Sequence, residues 1–180
     1  MSDFTHLDET GQMRMVDVGD KSATERRAAA SCRVRVGPKV FPLLISGRLP
    51  KGDVWAAARL AGIMAAKNTA QLIPLCHSLP LTGVSIEFTP DPEAEAVMIQ
   101  ARVRTFARTG VEMEALTAAA VAALTIYDMC KAVDRGLVIE NLQLEEKSGG
   151  ASGKYQRASN SPKNLVDCGK VGVGNETGSY

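Results

Sequence analysis

The chain of 180 residues lacks most of the features that assign a protein quickly. Its four cysteines, Cys32, Cys76, Cys130 and Cys168, are scattered, and no two form a Cys-x-x-Cys pair. That argues against a structural zinc site or a disulfide framework and suits a reducing cytoplasm. There are only two histidines, and no metal ligands stand at the usual spacings. The N-terminus carries no apolar leader, and no apolar run reaches ~18 residues, which speaks against export and membrane insertion. Charge of either sign is not in excess, with 21 Lys plus Arg against 20 Asp plus Glu. Bulk attraction to nucleic acid or an anionic membrane is therefore not expected, and any affinity for anions must come from local clustering. No internal repeat is present. What remains is the composition of an ordinary globular protein, 45% apolar and 23% charged, long enough for one domain with a real core.

The most informative stretch runs from Gly110 to Lys131, GVEMEALTAAAVAALTIYDMCK. Its alanine-rich middle is a strong helix former, and a helix apolar on every side is normally buried. Ionisable groups on such an element cost free energy unless they are paired or used. Here they sit only at the two ends, Glu112 and Glu114 at one and Asp128 and Lys131 at the other.

The remaining elements follow from pattern. Residues 1–30 are polar and charged and read as a mobile arm, with a short ordered piece near Met15 to Val18. Val34 to Val36 is the expected first strand. Pro38 to Leu49 carries a short helical pattern interrupted by Pro42. Asp53 is a good N-cap for a helix running to about Gln71. The proline-bracketed stretch Leu72 to Pro80 must be a loop. Alternating apolar residues mark strands over Thr82 to Thr89 and Val97 to Phe106. Leu137 to Leu144 is expected as a last strand. The order predicts an α+β fold, a ferredoxin-like antiparallel sheet with helices packed on one face. The catalytic domain is expected over 31–147, and 148–180 as a Gly/Ser-rich loop and flexible tail.

Each charged group admits two readings. Asp128 and Lys131 share a helix face, either as a surface salt bridge or as a pair at a cleft. Glu112 and Glu114 sit where acids favour the positive end of the helix dipole, or they could accept N–H donors from a guanidine-like ring edge. His77, beside Cys76, is either a hydrogen-bonded loop residue or an acid–base group. Lys51 precedes a helix N-terminus, an anion-attracting place, and is a solvated lysine, a phosphate ligand or an acid. Lys147 to Lys154 resembles a phosphate-cradling loop without the Walker spacing, or is a linker.

Six blocks then occur in order: Lys51-Gly-Asp-Val, Ala61-Gly-Ile-Met-Ala-Ala-Lys67, Leu72 to Leu81, Thr109 to Leu116, Tyr127-Asp-Met-Cys-Lys131 and Lys147-Ser-Gly-Gly150. Together, over roughly residues 13–155, they closely resemble the MoaC family, the cyclic pyranopterin monophosphate synthases of molybdenum cofactor biosynthesis. The resemblance implies a lyase that converts 3′,8-cyclo-7,8-dihydroguanosine 5′-triphosphate to cyclic pyranopterin monophosphate with release of pyrophosphate. It further implies Lys51 as general acid and Asp128 with Lys131 as an acid–base pair. Leu75, Cys76, His77, Glu112 and Met113 would line the substrate site, with Glu114 supporting it. Lys67, Lys147, Lys21 and Arg26 would meet the triphosphate. No redox cofactor is needed, no carboxylate cage for a metal is visible, and any Mg2+ would accompany the triphosphate. The family resemblance also implies a homohexamer built as a trimer of dimers.

The helix sets a geometric condition on these roles. Glu112 and Asp128 are 16 residues apart, which is ~24 Å along a continuous helix. If both touch one substrate, they must come from different subunits, so the site is expected across a two-fold interface.

Overall fold

A computed structural model describes residues 10–158. Its elements are β1 (Thr24–Arg35), α1 (Gly37–Ile45), α2 (Val54–Lys67), α3 (Thr69–Leu72), β2 (Leu81–Asp91), β3 (Ala96–Ala107), α4 (Glu112–Cys130), β4 (Val138–Ser148) and β5 (Tyr155–Gln156). The five strands form one sheet in the order β2-β3-β1-β4-β5, with every neighbouring pair antiparallel. Helices α2 and α4 pack side by side on one face, α2 against β2 and α4 against β1, β3 and β4. The first four strands thus follow the ferredoxin-like order expected from the sequence.

The core lies between sheet and helices. Along β1, Ala28, Ala30, Cys32 and Val34 face the helices, and along β3 Val97, Ile99, Ala101 and Val103 do so. The alternate residues, among them Arg27, Arg33, Arg102 and Arg104, lie on the opposite face, as a period of two requires. Helix α4 meets the core through Ala115, Ala118, Ala119, Ala122, Ala123 and Ile126, all fully buried. By length and composition alone α4 could cross a bilayer. Here its alanine faces are instead packed under α2 and onto the sheet.

Several boundaries differ from expectation. The first strand begins at Thr24, ten residues before Val34, so residues 24–30 belong to the sheet and not to the arm. Being the central strand, β1 is hydrogen-bonded on both sides, and that pairing overrides the low β-propensity of Ala28 to Ala30. Helix α2 is capped by Asp53, whose Oδ1 accepts from the Ala56 N–H at 3.0 Å, but it stops at Lys67, short of Gln71. There the Asn68 side chain donates to the Met64 carbonyl and the chain turns into α3. Strand β4 runs on to Ser148, past Leu144. It carries a bulge where Asn141 adopts a positive φ of 55°, tolerable for Asn. The loop after Ser148 returns as β5, paired to β4 through Lys147 and Tyr155. The flexible tail expected beyond 158, and the arm before residue 10, lie outside the described residues.

Candidate active site

One end of α4 meets the start of α2. Lys51 lies just before the Asp53 cap, and its Nζ donates to the Asp128 carboxylate (2.9 Å) and to the Asp128 backbone carbonyl (2.8 Å). Lys131 donates to the other carboxylate oxygen at 2.6 Å. The backbone carbonyl belongs to the last turn of α4, where the helix dipole favours a cation. One carboxylate is therefore clamped by two ammonium groups, and the cluster keeps a surplus positive charge. Hydrogen bonds from Lys131 and then Lys51 pull the exposed Asp128 carboxyl down to a pKa of about 2. Lys51 comes from a different element to complete this cluster, and all three side chains remain partly exposed.

The other end of α4 closes a cavity of about 310 Å³. The helix supplies Glu112, Met113 and Glu114, and the loop after α3 supplies Leu75, Cys76 and His77. The N-terminal segment contributes Val16, Val18 and Lys21. Gly110 has no side chain, so the Glu112 carboxylate folds back against its Cα; a Cβ there would lie 2.0 Å from Oε2. Glu114 is 4% exposed, and burial, with the nearby Glu112 charge, raises its pKa above the ordinary carboxylate value. Burial and the Glu114 charge raise the Cys76 thiol as well, so Cys76 is not poised as a thiolate nucleophile. His77 Nε2 lies 2.8 Å from the Val16 carbonyl. A carbonyl only accepts, so Nε2 carries the proton and, in the neutral ring, Nδ1 presents a lone pair.

The structure therefore gathers the expected residues into two groups. Lys51, Asp128 and Lys131 form one, and Lys21, Leu75, Cys76, His77, Glu112, Met113 and Glu114 form the other. Unbroken α4 holds them apart, ~24 Å at its rise per residue. Three expected cations lie outside both groups. Lys67 borders an adjoining hollow that shares Leu79 with the cavity. Lys147 donates to the Ser152 hydroxyl within its own loop. Arg26 donates to the Ala107 and Arg108 carbonyls, at 3.3 and 3.2 Å. Val18, Leu79 and Thr109 also line the cavity; Leu79 and Thr109 fall within two of the six sequence blocks but are not among the expected site residues. A hollow of about 400 Å³ on the opposite face of the sheet, bordered by Arg27, Arg102 and Arg104, contains none of the six sequence blocks. Among the described residues, no three of His, Cys, Asp and Glu are grouped to hold a metal ion.

Between the two groups runs an apolar face. Leu60 (63% exposed) and Met64 (46%) on α2 and Leu124 (57%) on α4 point away from the core. On α4 the open stripe Met113, Thr117, Ala120, Leu124, Asp128 joins one group to the other at helical spacing.

A family model described as the MoaC family matches residues 15–150. A cyclic pyranopterin monophosphate synthase from Pelotomaculum thermopropionicum is 60% identical over 157 residues, 87% of this chain and 92% of the relative. One from Chloroflexus aurantiacus is 58% identical over 156 residues, 87% of this chain and 96% of the relative. Another, from a Nostoc strain, is 56% identical over 154 residues, 86% and 92% of the two chains.

Proposed function

The chain belongs to the MoaC family, and from that premise we propose how its two groups of residues make one active site. Its activity is that of a cyclic pyranopterin monophosphate synthase in molybdenum cofactor biosynthesis. The substrate is 3′,8-cyclo-7,8-dihydroguanosine 5′-triphosphate, and the products are cyclic pyranopterin monophosphate and pyrophosphate. The observation that carries the site assignment is the double clamp on Asp128, two protonated amines on one carboxylate that stays ionised at any working pH.

That clamp divides the roles. Opening the nucleoside-derived ring and reclosing it as a pyran requires protons to be delivered and removed at several heteroatoms. Asp128 cannot deliver a proton, so Lys51 and Lys131 are the acids, and the Asp128 carboxylate orients the two amines by the hydrogen bonds it accepts. The same pairing disfavours a Schiff-base mechanism, which needs a free amine. Glu112 accepts from the N–H edge of the guanine-derived ring, and Leu75 and Met113 enclose its faces. Lys21, Lys67, Lys147 and Arg26 stabilise the charge of the departing pyrophosphate. Mg2+ arrives with the triphosphate where it is used.

The site is shared by two subunits. Packing the apolar α2/α4 face against its two-fold mate would bury Leu60, Met64 and Leu124 and bring the Asp128 end of one chain beside the Glu112 end of the other. Three such dimers make the proposed hexamer. The free cysteines Cys32, Cys76 and Cys130 suit a cytoplasmic location.

Single-turnover pyrophosphate release from the cyclic triphosphate tests the assignment. Lys51→Ala should slow release by about 10²–10⁴-fold, the usual worth of a general acid, without loss of fold. Full activity in that variant removes Lys51 from the chemistry, and binding without pyrophosphate release by the wild type makes the chain a sensor instead.

A further inference from the structure

The segment from Val16 to Lys21 belongs to no helix or strand, yet it forms one wall of the Glu112 cavity. Two side chains fasten it from outside. His77 donates to the Val16 carbonyl at 2.8 Å, and Arg108 Nη1 donates to the Gly19 carbonyl at 2.6 Å. Between these points a turn is closed by the Asp17 carboxylate accepting from the Gly19 N–H (2.7 Å) and by the Lys21 N–H donating to the Val18 carbonyl (3.1 Å). Lys21 leaves this turn directly into the cavity lining.

Arg108 is itself held. Its carbonyl accepts from Arg26 Nη2, and the Arg26 guanidinium lies over Gly150, where a Cβ would stand 1.5 Å from Nη1. Gly150 also has a φ of 74°, so a side chain at that position is excluded by conformation and by space. The Ser-Gly-Gly loop thus seats Arg26, Arg26 seats Arg108, and Arg108 holds the arm. Arg108 is exposed and is not part of the cavity lining.

We propose that Arg108 is a positioning residue for substrate binding: it fastens the 16–21 segment so that Lys21 is already presented when the triphosphate arrives. An unfastened segment would have to be ordered by the substrate, and that ordering would be subtracted from affinity. The inference rests on the reading of Lys21 as a triphosphate contact. It predicts a loss in KM with little change in kcat, because the arm carries no acid–base group of the reaction.

The experiment is a double-mutant cycle on the full chain, with KM and kcat measured by pyrophosphate release. Arg108→Met should raise KM about fivefold, the scale of one charged hydrogen bond at an exposed site, and leave kcat within about twofold. Arg108→Lys, which keeps one donor, should recover most of the loss. In a Lys21→Ala background Arg108→Met should add nothing. Tryptic cleavage after Lys21, followed by mass spectrometry, should be faster in Arg108→Met than in wild type. If Arg108→Met raises KM equally in both backgrounds, or leaves KM and the cleavage rate unchanged, the positioning role is overturned. If Lys21→Ala alone leaves KM unchanged, the underlying reading of Lys21 fails, and with it the claim that the fastening serves substrate.

Discussion

Adding one methyl group at Gly62 tests how α2 and α4 hold the lysine clamp together. Gly62 lies on the side of α2 that packs against α4. A Cβ there would meet Ile86 Cδ1 at 2.2 Å, the Ala118 carbonyl oxygen at 2.8 Å and the Ala122 Cβ at 3.3 Å. The Ile86 methyl ends a flexible side chain and can swing aside. The Ala118 oxygen is backbone of α4, so relief requires the helices to part. Gly62→Ala gains ~1 kcal/mol of helix propensity but incurs ~1–3 kcal/mol of overpacking, a net loss of about 1 kcal/mol. For a domain of this size that is ~2–4 °C in Tm. Gly62→Val adds two more methyl-sized contacts and should lose ~3 kcal/mol. Activity should fall too, because Lys51 precedes α2 while Asp128 rides on α4; a shift approaching 1 Å between them would cost up to ~10²-fold in kcat. Urea unfolding at one fixed protein concentration, so that assembly does not confound the comparison, gives the stability change. A Gly62→Ala protein stabilised by the full ~1 kcal/mol expected of helix propensity alone would refute the close packing.

Two further outcomes follow from the charged ends of α4. Because burial raises the Glu114 pKa, the folded state binds that proton more tightly than the unfolded chain does. Stability is therefore lost as pH rises from the ordinary carboxylate range through the raised value. Glu114→Gln should be more stable than wild type at pH 7, with the gap closing towards pH 4 in urea titrations; a variant less stable at pH 7 would mean an ionised, partnered Glu114. Asp128 has the opposite sign: its stabilising pairing is present above the unfolded carboxylate pKa and lost as pH falls through about 2. Lys131→Met removes the larger cause, so the Asp128 carboxyl, followed by 13C NMR, should titrate clearly higher; a resonance still titrating at about 2 would show that Lys131 is not the cause.

The parts of the molecule that the sequence exposed are those with one dominant local signal. The uncharged run of α4 and the alternation of β2 and β3 left little ambiguity, and Asp53 marked the start of α2. The first half of β1 was hidden because Glu25, Arg27 and three alanines look like a polar arm. Only its pairing with both β3 and β4 makes it a strand. Asn68 ends α2 by a side-chain hydrogen bond that no periodicity reports. At the site, the sequence blocks named the residues and helix length separated them into two groups. It could not show that the Gly149-Gly150 pair packs against Glu25 and Arg26, nor that His77 spends one ring nitrogen on the Val16 carbonyl. Both contacts join segments more than 60 residues apart.

The central claim, that one active site takes its lysine clamp from one chain and its Glu112 cavity from another, is tested most directly by mixing two dead variants. Lys51→Ala and Glu112→Gln, each expected to be nearly inactive alone, are combined in equal amounts, dissociated and allowed to reassemble. With a shared site, half of the dimers are hybrid and each hybrid carries one site free of both substitutions, so about a quarter of wild-type activity should return. If each chain holds a complete site, every site in the mixture is damaged. The mixture would then stay as inactive as its parents, contradicting the account.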